Sequence, residues 1–549
     1  MIKKLLNHKL LTNSSPSRSV ASAAFLITFM SLASRIAGLL RDRLLASHFG
    51  AGDTLDVYYA AFRIPDLIYN LLILGALSAA FIPVFTSLIS REEKEDAWRL
   101  ARGVVNLAAI FIVIFSAIFC IFAPFIMKVI TPGFPPDKLS TVVLFTRIMF
   151  LSPLFLGISG IFGGILTSFK RFFIYSLAPI FYNLGIIFGI VVLVRFMGPV
   201  GLAWGVVLGA FFHMLVQYPA ARHLGYTHSW KSISYFKDRN IRKVLKLMVP
   251  RTLGIAVSQV NLLVITIFAS LLASGSLAVF NFAQNLQGVP LGLFGSSFAI
   301  AVFPVLSAVY AQKNYDSFIN NFSKTFRQIL FFIIPISVAM ILLRAQLVRV
   351  ILGAGKFDWE DTVLTFQVLG IFSLSLCAQS LVPLLARTFY AMHDTRTPFY
   401  IALVSEAVNI LTVILLIGRY KIMALALAFS LASIVQMILL LFVLRTKFEN
   451  LDDKKILLSL VKISAASFLA GIGIQLMKYL VVSLIPIDTF IGVFTQLSVA
   501  GLTGAIIFFG VCYILKSPEF LEFQRSFTSR IFRSKSGIVE DTSEVSGIM

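Results

Sequence analysis

Apolar runs of about 20 residues recur along nearly the whole chain, and they constrain the fold more than any other feature of the sequence. At 1.5 Å per residue, a helical run of this length crosses about 30 Å of bilayer hydrocarbon. Hydrophobic residues make up 58% of the 549 residues and charged residues 13%, against about 45–50% and 25% in soluble chains. The sequence therefore predicts an all-α integral membrane protein.

Polar or turn residues divide the apolar runs into about fourteen predicted transmembrane helices. The predicted spans are residues 20–46, 57–88, 103–130, 140–168, 174–196, 201–221, 244–273, 276–311, 325–352, 362–392, 398–418, 422–445, 457–483 and 490–515. Gly201, Gly205 and Gly209 lie four apart in the sixth span, a spacing that favours close helix packing.

Lys and Arg are distributed unequally between the two sides of these spans. If the N-terminus is cytoplasmic, that side carries about 31 basic residues and the opposite side about 10, as the positive-inside rule requires. Both termini are therefore expected in the cytoplasm. The basic loop at 222–243 should face the anionic inner leaflet, where its charges serve orientation.

Similar features return after about 220–230 residues, which indicates two related halves of six helices each. The recurring pairs are Pro83 with Pro304, Pro153 with Pro383, and Asn183 with Asn409. We therefore expect two six-helix lobes around a central cavity, followed by two C-terminal helices. The predicted parts are a tail at 1–19, lobes at 20–221 and 244–445 joined by the loop at 222–243, a charged linker at 446–456, helices at 457–515, and a tail at 516–549.

The net charge of +22 does not indicate nucleic acid as a partner, because the basic residues are scattered through short loops. The three cysteines, Cys120, Cys377 and Cys512, lack the paired spacing of a metal or redox motif. No cofactor and no metal site are expected.

Ionisable residues inside spans are costly and should face a cavity or a partner. In the first span, Arg35 and Asp42 lie on nearly one helix face, and Arg41 is adjacent to Asp42. In the second, Arg63 and Asp66 are spaced i, i+3, so they could pair. One interpretation is a cavity whose guanidinium groups bind phosphate; the other is structural ion pairs near helix ends. For Arg35 we favour the cavity.

Arg147, Arg251, Arg344 and Arg387 also lie in apolar segments, and for the last three we favour structural roles at the headgroup level. Glu406 and Asn409 differ, because they share one face of an otherwise apolar helix. They could form a site for a coupling cation or proton, or a simple buried hydrogen bond. Coupling to the membrane potential is a further possibility.

A longer pattern resembles the MurJ (MviN) family of the MOP (multidrug/oligosaccharidyl-lipid/polysaccharide) exporter superfamily. The matching stretches, in chain order, are Ser34-Arg35-Ile36-Ala37-Gly38, Arg41-Asp42, Phe49-Gly50-Ala51-Gly52, Asp56, Phe62-Arg63-Ile64-Pro65-Asp66-Leu67, Gly75 to Pro83, Thr131-Pro132-Gly133-Phe134, Ala269-Ser270, Gly275-Ser276, Gly355-Lys356-Phe357, Phe389-Tyr390, Asp394 and Thr397-Pro398.

The resemblance implies a flippase that moves lipid II, the undecaprenyl-diphosphate-linked peptidoglycan precursor, across the bacterial cytoplasmic (inner) membrane by alternating access for cell wall synthesis. It implies that Arg35, Arg41 and Asp42 are charges of the cavity, with Arg41 as the best candidate to bind diphosphate. Membrane lipids, and possible cell-wall synthesis proteins, would be the other partners.

Two positions that are basic in many family members are neutral in this chain. The stretch Ile68 to Gly75 lacks a basic pair, and Gln284-Asn285 stands where an acidic-basic pair is common. Headgroup binding is therefore expected to depend on Arg35, Arg41 and Arg63. Neutral hydrogen bonds could come from Tyr69, Gln284 and Asn285.

Four alternatives remain open at the level of sequence. A drug or ion antiporter of the same superfamily ranks low, because an organic cation would favour acidic and not Arg-lined walls. A flippase for another polyprenyl-diphosphate-linked glycan needs the same cationic cavity. A membrane-embedded enzyme acting on lipid-linked sugars should show clustered acids or histidines, whereas the six histidines are dispersed. A scaffold for cell-wall enzymes would not require charges within helices.

Overall fold

A computed structural model describes residues 20–71, 80–229, 238–486 and 488–533, and every regular element in these ranges is helical. The predicted N-terminal tail at 1–19, residues 230–237 of the predicted basic loop, residues 72–79 of the second span and residues 534–549 of the C-terminal tail lie outside the described residues. The side chain of Arg251 is also outside them.

The helices up to residue 223 cover the region predicted as the first lobe. They are α1 (Val20–Phe49), α2 (Asp53–Tyr69), α3 (Ile82–Ser90), α4 (Lys94–Ile130), α5 (Pro136–Met149), α6 (Leu151–Ser168), α7 (Phe172–Phe188), α8 (Val194–Met197) and α9 (Val200–His223). A π-helical turn, Gly189–Leu193, joins α7 to α8.

The remaining helices begin at residue 239. A second π-helical turn, Leu291–Ser296, joins α11 to α12. They are α10 (Arg239–Ser270), α11 (Ser276–Pro290), α12 (Ser297–Ala311), α13 (Tyr315–Leu342), α14 (Arg344–Ile351), α15 (Trp359–Leu374), α16 (Leu376–Ala391), α17 (Arg396–Tyr420), α18 (Ile422–Lys447), α19 (Asp453–Leu484), α20 (Phe490–Ile514) and α21 (Pro518–Arg533).

Ten helices or continuous helical stretches in the described residues are long and apolar enough to cross a membrane, or eleven if the bent pair α15 and α16 counts as one span. Large apolar side chains point away from the protein interior along these helices; Phe125, Leu415 and Ile506 are each 70% exposed or more. Such surfaces require a hydrocarbon solvent. The predicted all-α membrane fold is confirmed, whereas the count of fourteen stays a prediction.

The chain forms two compact units. The first contains residues 1–289, 347–372 and 399–432, and the second contains residues 290–346, 373–398 and 433–549. The predicted division into two duplicated lobes and two additional helices stays a prediction.

In the first unit, α7 and α9 pack backbone against backbone through glycines. A Cβ atom at Gly205 would lie 2.8 Å from Cα of Gly189, and a Cβ atom at Gly209 would lie 2.5 Å from the carbonyl oxygen of Tyr182. These distances leave no room for a side chain, so the predicted packing role of the glycine stripe on α9 is confirmed. This packing fixes α7, which supplies a residue of the candidate site.

Candidate substrate site

The centre of the candidate site is an ion pair between neighbouring residues of α1. Nε and Nη2 of Arg41 donate to the same oxygen, Oδ1 of Asp42, at 3.0 and 2.8 Å. The Asp42 side chain is only 4% exposed and that of Arg41 is 21% exposed. A carboxylate buried this deeply needs a charged partner, and Arg41 is that partner.

Two asparagines from other helices complete the hydrogen bonding of this pair. Nη1 of Arg41 donates to Oδ1 of Asn183 on α7 at 3.1 Å. Oδ2 of Asp42 accepts from Nδ2 of Asn285 on α11 at 2.9 Å. Asn183 is oriented in turn by its bond to the carbonyl oxygen of Pro179 at 3.1 Å, one turn earlier in α7. Three helices thus hold the guanidinium of Arg41 in one orientation.

Arg41 retains donors for a ligand in this arrangement. A guanidinium group has five N–H bonds, and three of those of Arg41 are used by Asp42 and Asn183. The remaining two N–H bonds, one on each terminal nitrogen, have no partner among the described residues. They leave the guanidinium two charged donors for the oxygens of a phosphate or carboxylate.

Arg35 lies about two turns earlier on α1 and also has unused donors. Its Nη1 donates to the carbonyl oxygen of Gly288 on α11 at 3.0 Å. Its Nε is buried and has no partner in the described part of the chain. A buried guanidinium nitrogen without an acceptor is costly, so an anionic or polar ligand near Arg35 would be stabilised.

Arg63 on α2 is 9% exposed and is held by neutral groups. Nε donates to Oγ1 of Thr266 at 2.8 Å and Nη2 donates to Oδ1 of Asn281 at 3.1 Å. The ion pair with Asp66 that the spacing permits does not form among the described residues. Spacing at i, i+3 permits contact, but α10 and α11 supply the acceptors. The charge of Arg63 is therefore not neutralised by direct contact with a carboxylate.

The other predicted substrate residues are less constrained. Asp66, Tyr69 and Gln284 are half-buried, and their side chains make no hydrogen bond to the described residues. Of the predicted set, the structure brings Arg41, Asp42 and Asn285 together by direct hydrogen bonds. Arg35 lies on α1, as Arg41 does, and bonds to α11, as Asp42 does. Asn183 belongs to this centre and was identified from sequence only as a member of a repeat.

Several segments of the first unit meet at the carboxylate of Asp56, near the start of α2. Nζ of Lys138 donates to Oδ2 of Asp56 at 2.8 Å. The backbone N–H of Gly275 donates to Oδ2 at 2.8 Å and that of Ala278 to Oδ1 at 3.1 Å. Asp56 thus caps the first turn of α11 while paired with a cation from α5, which ties three segments together.

Backbones touch directly where these loops meet, and glycine permits the contact. Gly275 has φ +86°, and a Cβ atom there would overlap the carbonyl oxygen of Ala51. Gly355 has φ +60°, and a Cβ atom there would lie 3.0 Å from the carbonyl carbon of Ser47. The N–H of Lys356 donates to the carbonyl oxygen of Ser47 at 2.9 Å. We call this set of contacts, together with Asp56, the loop closure.

Sequence reasoning assigned no function to the residues of the loop closure. The signal that could have found them was present, because Asp56, Gly275 and Gly355 all belong to the motif stretches. Each precedes or follows a predicted span on the same side of the membrane. Glycines that recur on one side of a bundle indicate close backbone approach there.

The predicted pair Glu406 and Asn409 gains a third member, Asn261 on α10. Nδ2 of Asn261 donates to Oε2 of Glu406 at 2.6 Å. Within the described part of the chain, Oδ1 of Asn261 and Oε1 of Glu406 are buried without a partner, and the fully buried amide of Asn409 makes no hydrogen bond of normal geometry. Buried oxygens with unused lone pairs are the ligands that a cation or a proton requires.

Three other arginines inside apolar helices bind backbone oxygens. Arg147 donates to the carbonyl oxygen of Cys120, Arg344 to that of Ile341 and Arg387 to that of Pro383, at 3.1, 3.2 and 3.4 Å. Arg43 donates to the carbonyl oxygen of Val350 at 2.5 Å, at the end of α14. These bonds fit the structural interpretation of these residues.

The chain matches known proteins along most of its length. The sequence model described as lipid II flippase MurJ matches residues 45–495. A relative from Buchnera aphidicola subsp. Schizaphis graminum, described as a probable lipid II flippase MurJ, is 32% identical over 429 residues, which are 77% of this chain and 82% of the relative.

Solved structures share the fold. One of a lipid II flippase MurJ in an inward closed conformation superposes with a TM-score of 0.73 at 24% identity, over 89% of this chain and 99% of that chain. An inward-facing multidrug resistance MATE family transporter of the MOP superfamily superposes with a TM-score of 0.66 at 15% identity, over 78% of this chain and 99% of that chain.

The MurJ family model covers far more than half of the sequence, and the fold is that of the MOP superfamily. Several of the motif stretches that gave the first resemblance lie on α1, on α2 and in the loop closure, where Arg41, Asp42, Asp56 and Arg63 are found. The chain belongs to the lipid II flippase MurJ family.

Proposed function

We propose that this chain is a transporter, not an enzyme, which flips lipid II from the inner to the outer leaflet of the bacterial cytoplasmic membrane by alternating access. The observation that carries the proposal is the Arg41 guanidinium, fixed by Asp42 and Asn183 with two N–H bonds left for a ligand. A diphosphate presents oxygens with the spacing that such a donor pair recognises.

The charges around Arg41 favour an anionic headgroup. Arg35, Arg41 and Arg63 carry three positive charges, and Asp42 and Asp66 carry two negative ones, so the set has an excess of one. Arg35 and Arg63 have no carboxylate in direct contact among the described residues. A diphosphate that approaches Arg41 would gain from all three cations. Tyr69, Gln284 and Asn285 add neutral hydrogen-bonding groups that suit the sugar and peptide portion.

The loop closure supports a cycle in which one side opens at a time. Asp56 holds α11 through two backbone N–H groups, and Gly275 lets the two backbones touch. With both termini in the cytoplasm, as the distribution of basic residues predicts, this closure lies on the outer side. Its release would open the cavity to the outer leaflet, and its formation would return the carrier.

Asn261, Glu406 and Asn409 form the proposed coupling site for a monovalent cation or a proton. Each of the three side chains has one oxygen without a hydrogen bond of normal geometry to the described residues, and only Glu406 can carry a negative charge. Binding of a cation would neutralise that carboxylate and satisfy the amide oxygens together. No resident cofactor or metal is required, although coupling through the membrane potential stays an alternative. Contacts with cell-wall synthesis proteins are a further possibility for the exposed loops.

The direct test is reconstitution in liposomes with fluorescent lipid II, measuring transfer between leaflets. The test variant combines Arg41→Gln with Asp42→Asn, so that no buried charge is left unpaired. Its control is Arg195→Gln, an exposed arginine of α8. We expect flipping by the wild type and by the control, and a loss of at least tenfold in the double variant, since each charge-assisted hydrogen bond contributes about 1.5–3 kcal/mol.

A folded wild-type protein that flips no lipid II would contradict the proposed cargo. Transfer of a different polyprenyl-diphosphate-linked glycan in the same liposomes would assign the protein to that cargo instead.

Coupling is tested by imposing ion and pH gradients on the same liposomes. Glu406→Gln should flip lipid II at a rate that no longer depends on the gradient, because the amide removes the site's one negative charge and exchanges no proton. Glu449→Gln in the exposed linker is the matched control and should respond as the wild type does. A gradient response in Glu406→Gln equal to that of the control would refute the coupling site.

A further inference from the structure

The side chain of Arg147 on α5 is exposed although it lies inside an apolar span of the first unit. Its Nε donates to the carbonyl oxygen of Cys120 on α4 at 3.1 Å, and it makes no other hydrogen bond or ion pair to the described residues. A guanidinium has five N–H bonds, so four remain on the two terminal nitrogens. Arg147 belongs neither to the site around Arg41 nor to the loop closure, and its charge has no role in the proposed transport.

The bond to Cys120 holds the guanidinium deep in the span. Cys120 precedes Lys128 of α4 by eight residues, and Arg147 follows Lys138 of α5 by nine. At 1.5 Å per residue, the guanidinium therefore lies about 12–14 Å along the helices from the lysines at the end where α4 joins α5. An arginine near a helix end can extend to water, but this one is held at the level of Cys120. A charge at such a depth is costly unless a counter-charge reaches it.

The surface next to Arg147 suits a further helix. Leu144 and Leu151 flank Arg147 at intervals of three and four residues and are 46% and 41% exposed. This is the spacing with which a helix packs side chains against a neighbour. On α4, Ala117 is exposed and Cys120 is half-buried, and such small side chains let a neighbouring helix approach closely in a membrane. We call these five residues the Arg147 face.

A phospholipid does not match the Arg147 face in depth. The phosphate of a lipid lies in the headgroup region, outside the hydrocarbon. The guanidinium lies about 12 Å from Lys128 along α4, so the phosphate would have to enter the hydrocarbon by most of that distance. That movement takes a second charge out of water and adds to the cost of the first. The counter-charge is therefore expected from a group that already lies at this depth.

A second copy of this chain does not supply such a group. Among the described residues, the carboxylates inside the predicted spans are those of Asp42, Asp66 and Glu406, and none of these three side chains is exposed. Two copies that met through their Arg147 faces would also bring two like charges together in hydrocarbon. Charge complementarity thus favours a different membrane protein.

We propose that the Arg147 face binds a transmembrane helix of another membrane protein, one that carries an Asp or Glu in the middle of its span. The carboxylate accepts from the terminal nitrogens of Arg147, while apolar residues one turn before and after it pack on Leu144 and Leu151. Pairing neutralises two charges that are each costly in hydrocarbon. The depth of the acid selects the partner as much as its presence does. This interaction is independent of the cargo.

Photo-crosslinking in liposomes measures this recognition with defined probes. The full-length protein carries benzoylphenylalanine in place of Leu144. The probes are leucine-alanine peptides of about 23 residues, long enough to span the bilayer, with Glu at the centre, Gln at the centre, or Glu about two turns from the centre. The peptide with central Glu should be crosslinked about tenfold more than either of the others, since a polar contact between helices in a membrane is worth about this factor.

Two variants assign the preference to Arg147. Arg147→Gln should crosslink the peptides with central Glu and central Gln equally, because the amide carries no charge. Lys128→Gln removes an exposed cation at the end of α4 and should keep the full preference. The comparison of the three peptides on the protein that retains Arg147 stands even if Arg147→Gln fails to fold.

The same photoreactive protein identifies the partner in cells. The adduct at position 144 should contain a protein whose crosslinked span has an acidic residue near its middle, and Arg147→Gln should abolish this adduct. Benzoylphenylalanine in place of Leu415, which is 71% exposed on α17, is the control position and should not give the same adduct.

Several results would overturn the proposal. In liposomes, these are equal crosslinking of the peptides with central Glu and central Gln, or a preference that persists in Arg147→Gln. In cells, they are adducts with phospholipid or with a second copy alone, the absence of a protein adduct, or a partner whose span lacks an acid.

Discussion

Replacement of Gly275 by alanine tests whether the loop closure is a conformational contact that must open and close. Gly275 has φ +86°, and an added Cβ atom would overlap the carbonyl oxygen of Ala51 and lie 2.7 Å from its carbonyl carbon. Ordinary contacts of a Cβ atom begin at 3.4 Å. The backbones of Gly275 and Ala51 must therefore separate by at least 3.4 − 2.7 = 0.7 Å. The bond from the Gly275 N–H to Asp56, now 2.8 Å, would lengthen with them.

The free energy of this change has two parts. A non-glycine residue in the left-handed region costs about 1–2 kcal/mol, and this cost lowers overall stability. Loss of the hydrogen bond to the Asp56 carboxylate costs about 1.5–3 kcal/mol and falls on the closed form alone. That second part would shift the ratio of closed to open forms by about 10-fold to 150-fold.

Gly198→Ala is the matched control for Gly275→Ala. Gly198 also has a positive φ, +61°, with ψ −153°, a conformation that only glycine adopts readily, but an added Cβ atom would meet nothing within 4 Å. Gly198→Ala therefore introduces backbone strain without the contact, so it should lower stability and leave the ratio of closed to open forms unchanged.

Distances between spin labels measure the ratio of closed to open forms. Asp137 and Glu360 are exposed residues on segments next to the loop closure, and cysteines at these positions accept labels. The native cysteines, Cys120, Cys377 and Cys512, are first replaced by serine. Gly275→Ala should move most of the population to a longer distance, and Gly198→Ala should not. Identical distance distributions in both variants would refute the role given to Gly275.

Three smaller perturbations test other parts of the molecule. Glu519→Gln removes the buried carboxylate that binds Arg327 and Ser459 and so holds α21 in the second unit. It should speed limited proteolysis of that helix, because breaking a buried pair costs about 3–5 kcal/mol. Glu522→Gln is its exposed counterpart and should have little effect. Asp394→Asn should lower the melting temperature near neutral pH. Burial raises the pKa of Asp394, but hydrogen bonds from Lys447 and Thr397 lower it more, to about 2, so the folded chain stabilises the charged carboxylate. Gly209→Val should lower the melting temperature, because overpacking against α7 costs about 1–3 kcal/mol.

Each of these has an outcome that would contradict it. Equal proteolysis of Glu519→Gln and Glu522→Gln would show that α21 is not held by the buried carboxylate. Because the pKa of Asp394 is lower in the folded chain, its contribution is present above about pH 4 and fades as pH falls towards 2. If the difference in melting temperature between the wild type and Asp394→Asn grew as the pH fell, this prediction would be contradicted. For Gly209→Val, a melting temperature equal to that of Gly510→Val, where a side chain meets nothing within 4 Å, would contradict the packing role.

The sequence predicted the helices well because membrane insertion is a local property. A run of apolar residues must form a helix in hydrocarbon whatever the rest of the chain does. The segments predicted at 276–311 and 490–515 accordingly match Ser276–Ala311 and Phe490–Ile514 almost residue for residue. The same logic identified Arg35 and Arg41, because a charge in an apolar run is conspicuous without knowledge of its surroundings.

Partners distant in sequence could not be predicted in this way. Arg63 has a carboxylate three residues away, yet it binds Thr266 and Asn281, which are 203 and 218 residues away. Asp56 binds backbone N–H groups, which every residue possesses and which no sequence pattern marks. Side-chain identity shows what a residue can do, and only the packing of helices shows with which group it does so.

The binding selectivity of Arg41 tests the central claim most directly. The measurement compares the dissociation constants of undecaprenyl diphosphate and undecaprenyl monophosphate for the wild type and for Arg41→Lys. Lysine keeps the charge beside Asp42 but lacks the planar guanidinium, which can bind Asp42, Asn183 and a phosphate at the same time. The account predicts that the wild type prefers the diphosphate by at least tenfold and that Arg41→Lys loses most of this preference. A preference for the diphosphate that is unchanged in Arg41→Lys would contradict it.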